Sequence, residues 1–186
     1  MTTGRIFTLI ILSTALLIGC QIPGGQSESM DAAQINRDVD DALARLYKTT
    51  PSARRLAKHA IGILVFPNVV KAGFIGGAEY GKGAMRQNGR TTGYYNIVAG
   101  SYGLQAGVQT FDYAMFFMHE SALESLNSSE GLEVGVGPSI VVMDEGMAKS
   151  VTNSTLLEDV YAFVFGQRGL MAGLGLQGSK ITRIDP

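Results

Sequence analysis

From Ile61 onward the chain alternates apolar residues with glycine and small polar residues, and this period of two dictates a sheet. Glycine makes up 24 of the 186 residues, nearly twice the usual share of about 7%. The glycines do not form low-complexity runs. They sit inside the alternating stretches, a placement that calls for tightly bent or closely packed strands.

The pattern divides into segments. Ile61 to Phe66 reads as a short apolar strand stopped by Pro67-Asn68, and Val69 to Ala84 as a strand pair or one bent strand. Thr92 to Thr110 is too long for one ordinary strand and should break at one of its glycines. A short helix is expected at Ser121 to Leu126, with alternation resuming at Leu132, Val134 and Val136. Ile140 to Met143 and Val160 to Phe165 read as buried strands, and Leu170 to Gln177 as a last alternating one.

Two helices are expected before the sheet. Ile35, Val39, Ala42, Leu43, Leu46 and Tyr47 recur at helical spacing, while Asp38, Asp40 and Asp41 face water. Thr50-Pro51 reads as an N-cap followed by proline at the first helical position. The second helix then gathers Ala53, Leu56, Ala57 and Ala60 on one face and Arg54, Arg55, Lys58 and His59 on the other. Helices first and glycine-broken strands afterwards imply an α+β fold. Its N-terminal helices pack on a strongly curved, glycine-rich antiparallel sheet, closed as far as a partial barrel. A membrane-spanning barrel fits poorly, because apolar strands such as Val160 to Phe165 lack a polar lumen face.

The first twenty residues have a different purpose. Arg5 precedes an apolar run from Ile6 to Ile18, too short for a spanning helix. Leu17-Ile18-Gly19-Cys20 then resembles a lipobox, and Cys20 is the one cysteine of the chain. Residues 1–20 are therefore expected to be a lipoprotein signal peptide, with Cys20 as the lipid attachment site. Residues 21–30 are expected to form a flexible tether and residues 31–186 a single domain. No thiol remains after Cys20, which excludes disulfides, cysteine-bound zinc and a thiol nucleophile from the domain.

Little in the sequence points to chemistry. A net charge of −1 gives no general attraction for nucleic acid. Gly76 to Lys82 resembles a phosphate-binding loop, but Gly83 stands where Ser or Thr should follow, and no helix pattern comes after it. Gly173-x-Gly175-x-x-Gly178 matches a dinucleotide fingerprint in letters, yet only eight residues follow it. His59 and His119 are isolated, Asp144-Glu145 reads as a turn and Asp112 as a strand-end cap. No catalytic residue, metal site, nucleotide or other cofactor is expected.

The strand region from about Ala60 to Ile184 resembles the SYLF domain family, a lipid-binding module also found in yeast actin-patch proteins. The resemblance rests on Val65-Phe66-Pro67, Lys71-Ala72-Gly73-Phe74, Tyr94-Tyr95 and Gly103-Leu104-Gln105-Ala106-Gly107. It continues through Phe116-Phe117, Gly135-Val136-Gly137-Pro138, Asp159-Val160-Tyr161-Ala162-Phe163 and Gly169-Leu170-Met171-Ala172-Gly173. It implies phospholipid binding through a basic surface and an amphipathic N-terminal helix. The SH3 and FYVE partners of eukaryotic members are not seen here, so their actin-related function is not expected to transfer.

These readings converge on a lipid-anchored protein of the cell envelope that binds phospholipid headgroups or membrane surfaces. Arg54, Arg55 and Lys58 are the leading candidates for the contact, with Lys71, Lys180 and Arg183 as weaker additions from the sheet. Gln21 after the cysteine implies the outer membrane, facing the periplasm. The alternative is an envelope structural or adaptor protein whose glycine-rich sheet binds another protein.

Overall fold

The computed structural model describes residues 24–73, 76–102, 107–128, 130–143, 157–169 and 178–186. Helix α1 spans Gly24–Thr49 and α2 spans Pro51–Leu56. Strands β1 (Gly62–Gly73), β2 (Gly76–Gln87), β3 (Arg90–Tyr102) and β4 (Gly107–Phe117) follow. Next come α3 (Glu120–Asn127), β5 (Leu132–Glu133), β6 (Ile140–Met143), β7 (Val160–Gly169) and β8 (Ser179–Ile184). The strands form one eight-stranded sheet in the order β5-β8-β3-β2-β1-β4-β7-β6, curled into a half-barrel. The α+β expectation holds. One detail differs: β6 runs parallel to β7, so the sheet is mixed rather than wholly antiparallel.

Each face of the sheet buries its own core. Inside the curl, Leu64, Phe66, Val69, Met85, Ile97, Phe111, Tyr113, Met115 and Phe117 pack together, with Ala122, Leu123 and Leu126 of α3 against them. Outside it, Ile35, Val39, Ala42 and Leu46 of α1 and Ala53 and Leu56 of α2 cover Val65, Ala84, Ala114, Phe116, Tyr161 and Phe163. The helical spacing read from the sequence is the spacing of this second core. Close packing explains at least one glycine: a Cβ on Gly83 would lie 2.1 Å from the Val65 carbonyl oxygen and 2.6 Å from Phe66 Cδ1.

Several expectations need correcting. The helix starts at Gly24, inside the segment read as a tether, because an established helix adds residues cheaply once nucleated. Thr50 makes no side-chain capping bond to α2; Pro51 alone marks its start. Pro67-Asn68 does not stop β1. The strand runs on through a bulge, with register shifts between Phe66 and Val69 and Asn68 at a φ of 51°.

Alternation after Leu132 ends within two residues, since Gly135 and Gly137 adopt φ of 98° and 106°, outside the extended region. Strand β6 is only partly buried, with Met143 its one fully covered residue. The break expected in Thr92–Thr110 is real: β3 ends at Tyr102 and β4 begins at Gly107 on the far side of β1. Strand β8 is an addition to the expected set, and the whole of the expected strand at Leu170–Gln177 lies outside the described residues.

Candidate functional site

The bulge in β1 determines which side chains the sheet offers to the outside. Before it, Leu64 and Phe66 point into the curl; after it, Val69 and Lys71 do. One extra residue has exchanged the two faces. Lys71 is consequently 4% exposed and belongs to an inner row with Gln109, Glu79 and Ser179, set side by side by strand register through Ala99. It cannot act with the surface cations as the sequence suggested. Burial raises the Glu79 carboxyl above its ordinary range, and the charge of Lys71 and the Tyr113 hydroxyl only partly oppose this. Burial, and then the neighbouring carboxylate, push the Tyr113 hydroxyl far above the usual tyrosine value. Among the described residues, Glu79 Oε1, Gln109 Oε1 and Ser179 Oγ have no hydrogen-bond partner.

The other expected cations are separated. Arg54 and Arg55 are exposed on α2, and Lys58 and His59 are exposed in the turn after it. Ala53 and Leu56 are buried and Ala57 and Ala60 half-buried, so the two faces of this segment divide as expected. The Arg54 guanidinium lies 5.3 Å from the centre of the Tyr47 ring, a cation–π contact that ties it back to α1. Lys180 and Arg183 are exposed on β8. Register places Lys180 beside Val98 on the outer face and Arg183 beside Tyr95 on the inner one, where it donates to the Thr92 carbonyl at 3.3 Å. Cys20 lies outside the described residues.

Helix α1 is fixed to the outer face by a line of polar contacts. Asp31 pairs with Lys82 at 3.2 Å, and Asp40 with Arg86 at 2.6 Å. Asn36 donates to the Tyr94 hydroxyl at 2.8 Å. Arg45 meets Asp112 at 2.8 Å. Asp112, read from the sequence as a strand-end cap, lies within β4 and is fully buried. Its second oxygen accepts the Asn68 backbone N–H at 2.9 Å, so one carboxylate holds both the helix and the bulge. Gly166 leaves room for it; a Cβ there would lie 2.6 Å from Asp112 Oδ2. Spacing within the sequence gave no signal for this junction, which joins residues 44 and 67 positions apart.

The motifs set aside as decoys have structural roles. Gly76 to Lys82 is part of β2, paired to β1 and β3, with Lys82 engaged by Asp31. His119 precedes α3 and contacts Asp159 at 3.2 Å. The Ser139 backbone N–H, bonded to Asp159 at 3.0 Å, is the main cause of that carboxyl's lowered pKa. Gly173, Gly175 and Asp144-Glu145 lie outside the described residues. Among the described residues no group of three or more His, Cys, Asp or Glu side chains gathers where it could hold a metal. None of the described helices is long and apolar enough to cross a membrane.

Comparison with curated proteins gives no match. A family model does match, from Val98 near the end of β3 through β8, and it leaves β1 and β2 outside the matched segment. The blocks at Val65–Pro67, Lys71–Phe74 and Tyr94–Tyr95 thus lie beyond what that model covers. Residues 98–185 match the model of the family described as Ysc84: Las17-binding protein actin regulator, the SYLF family.

Proposed function

We propose that this protein is a lipid-anchored component of the cell envelope whose SYLF-type domain binds anionic phospholipid surfaces. The observation that carries the reading is the family match over residues 98–185, because the SYLF family is lipid-binding. Exposed cations lie on two separate surfaces, Arg54, Arg55 and Lys58 at α2 and Lys180 on β8, and the reading needs only one of these surfaces to meet the membrane. Each basic residue near an anionic surface contributes about 1 kcal/mol, so two to four on one surface give an attraction that is only millimolar or weaker. An acylated Cys20 makes that sufficient, because a short tether raises the local concentration of membrane to about millimolar.

The anchor at Cys20 and an outer-membrane location facing the periplasm are part of this proposal. The Las17-binding, actin-regulating role in the family's description is not. The test has two arms. Cys20→Ser in the full chain should leave the protein unprocessed or release it to the soluble fraction; normal processing and membrane retention would refute the anchor. Residues 21–186, which contain every described element and both cores, should float with phosphatidylglycerol vesicles but not with phosphatidylcholine ones. Their binding should weaken as salt shortens the Debye length below about 10 Å. Equal binding to both lipids at all salt concentrations would refute the electrostatic reading.

A further inference from the structure

Helix α1 covers only part of the outer face. Beyond the β1 bulge, Val70, Tyr80, Val98 and Val108 are 43, 48, 47 and 59% exposed, the only large hydrophobics so exposed on β1 to β4 among the described residues. Strand register makes them neighbours. Val70 pairs with Tyr80, and Tyr80 with Val98. One row nearer the strand ends, Val108 pairs with Ala72, Ala72 with Ala78, and Ala78 with Gly100. Ala72, Ala78 and Gly100 are exposed too, and nothing lies within 4 Å of a Cβ built on Gly100. The result is a low apolar surface four strands wide.

The first row continues in both directions. Through Thr110 it reaches Arg168 on β7, and through Val98 it reaches Lys180 on β8; both cations are exposed. Arg168 is held by Asn68 Oδ1 at 3.3 Å. No carboxylate interrupts the two rows. Glu133 lies beyond Lys180 on β5, and Asp31 is taken up by Lys82 at the border with α1.

We propose that this end of the outer sheet face is the surface that docks on the bilayer, its apolar rows entering the headgroup region while Arg168 and Lys180 meet lipid phosphates. The inference rests on the phospholipid-binding reading and adds the face that serves it. Charge selects this occupant over a second copy of the chain, since a two-fold face-to-face contact would set cation against cation. The course of α1 agrees. Asp31 reaches Lys82 at the edge of the patch, and α1 begins at Gly24, four residues after Cys20. The strip on α2 lies at the other end of α1, whose 26 residues span about 39 Å at ~1.5 Å each.

Residues 21–186 contain no cysteine, so a single introduced thiol can carry an environment-sensitive dye. The dye is placed at Val98→Cys, Tyr80→Cys or Arg55→Cys, and each protein is titrated with phosphatidylglycerol vesicles with and without spin-labelled lipid. The expected result is a blue shift and quenching at positions 80 and 98 and neither at 55. Arg168→Glu with Lys180→Glu should weaken vesicle binding about thirtyfold or more, while Arg54→Glu, Arg55→Glu and Lys58→Glu together change it about twofold or less.

If none of the proteins binds vesicles at millimolar lipid, the phospholipid reading itself fails. If they bind with the dye at 55 embedded and those at 80 and 98 in water, or with all three in water, this face is refuted and the reading stands. A concentration-dependent dye shift at 98 without lipid would show that a second copy occupies the face, and this too overturns the proposal. Circular dichroism of each variant guards against misreading unfolding as lost binding.

Discussion

Replacing Asp112 by alanine should loosen the helix and the sheet together. The carboxylate is fully buried and accepts two hydrogen bonds, at 2.8 Å from Arg45 and at 2.9 Å from the Asn68 backbone. A hydrogen bond to a charged group contributes about 1.5–3 kcal/mol. That value suits the Asn68 bond. The Arg45 side chain is 44% exposed and regains water when released, so its half of the junction is discounted to about 0.5–1 kcal/mol.

The expected loss is about 2–4 kcal/mol, which at a urea slope of ~2 kcal/mol/M lowers the unfolding midpoint by roughly 1–2 M. Arg45→Met should cost less, because it leaves the Asn68 bond in place. The double variant should be milder than the sum of the singles, with a coupling of roughly 0.5–1 kcal/mol. Urea titrations of residues 21–186 followed by circular dichroism give all four midpoints. An unchanged midpoint for Asp112→Ala, or strict additivity of the pair, would refute the junction.

Two further outcomes follow from the packing and the buried charge. Gly83→Ala should destabilise by at least about 1–3 kcal/mol in the same titration, since its methyl would meet the Val65 carbonyl at 2.1 Å and backbone must move; an unchanged midpoint would show that the strands have slack there. The Glu79 carboxyl should titrate above the ordinary 4.5 in a carbon-13 NMR experiment. Because the folded chain then holds that proton more tightly than the unfolded one, its contribution to stability is complete below about pH 4.5 and is lost as pH rises through the folded value. Glu79→Gln should flatten that part of the pH dependence, whereas titration at or below 4.5 would contradict the burial argument.

The helices and the mid-chain strands were legible because their patterns are local. Ile35, Val39, Ala42 and Leu46 repeat at helical spacing and form the core that this spacing implies. The break between β3 and β4 followed from strand length alone. What escaped was decided by partners distant in sequence. Asn68 accepts a positive φ while Asp112, 44 positions away, holds its N–H, and the resulting bulge turns Lys71 inward and Val70 outward. No period-two reading of β1 contains that reversal. Strand β8 is short and charged at every third position, yet it becomes regular by pairing with β3 from Tyr94 to Ala99. Arg168 and Lys180 gave no sign of belonging to one surface, since 12 positions and four intervening strands separate them.

The two ends of the sheet bear on how copies behave when crowded together. Any open strand invites another chain to extend the sheet. Here the terminal strands are β5, two residues long, and β6, four residues long. Gly135 and Gly137 turn the backbone out of extended geometry directly after β5, so a second chain finds room for only one or two ladder bonds there. Among the described residues these two short edges therefore offer a neighbouring copy little backbone on which to extend a ribbon.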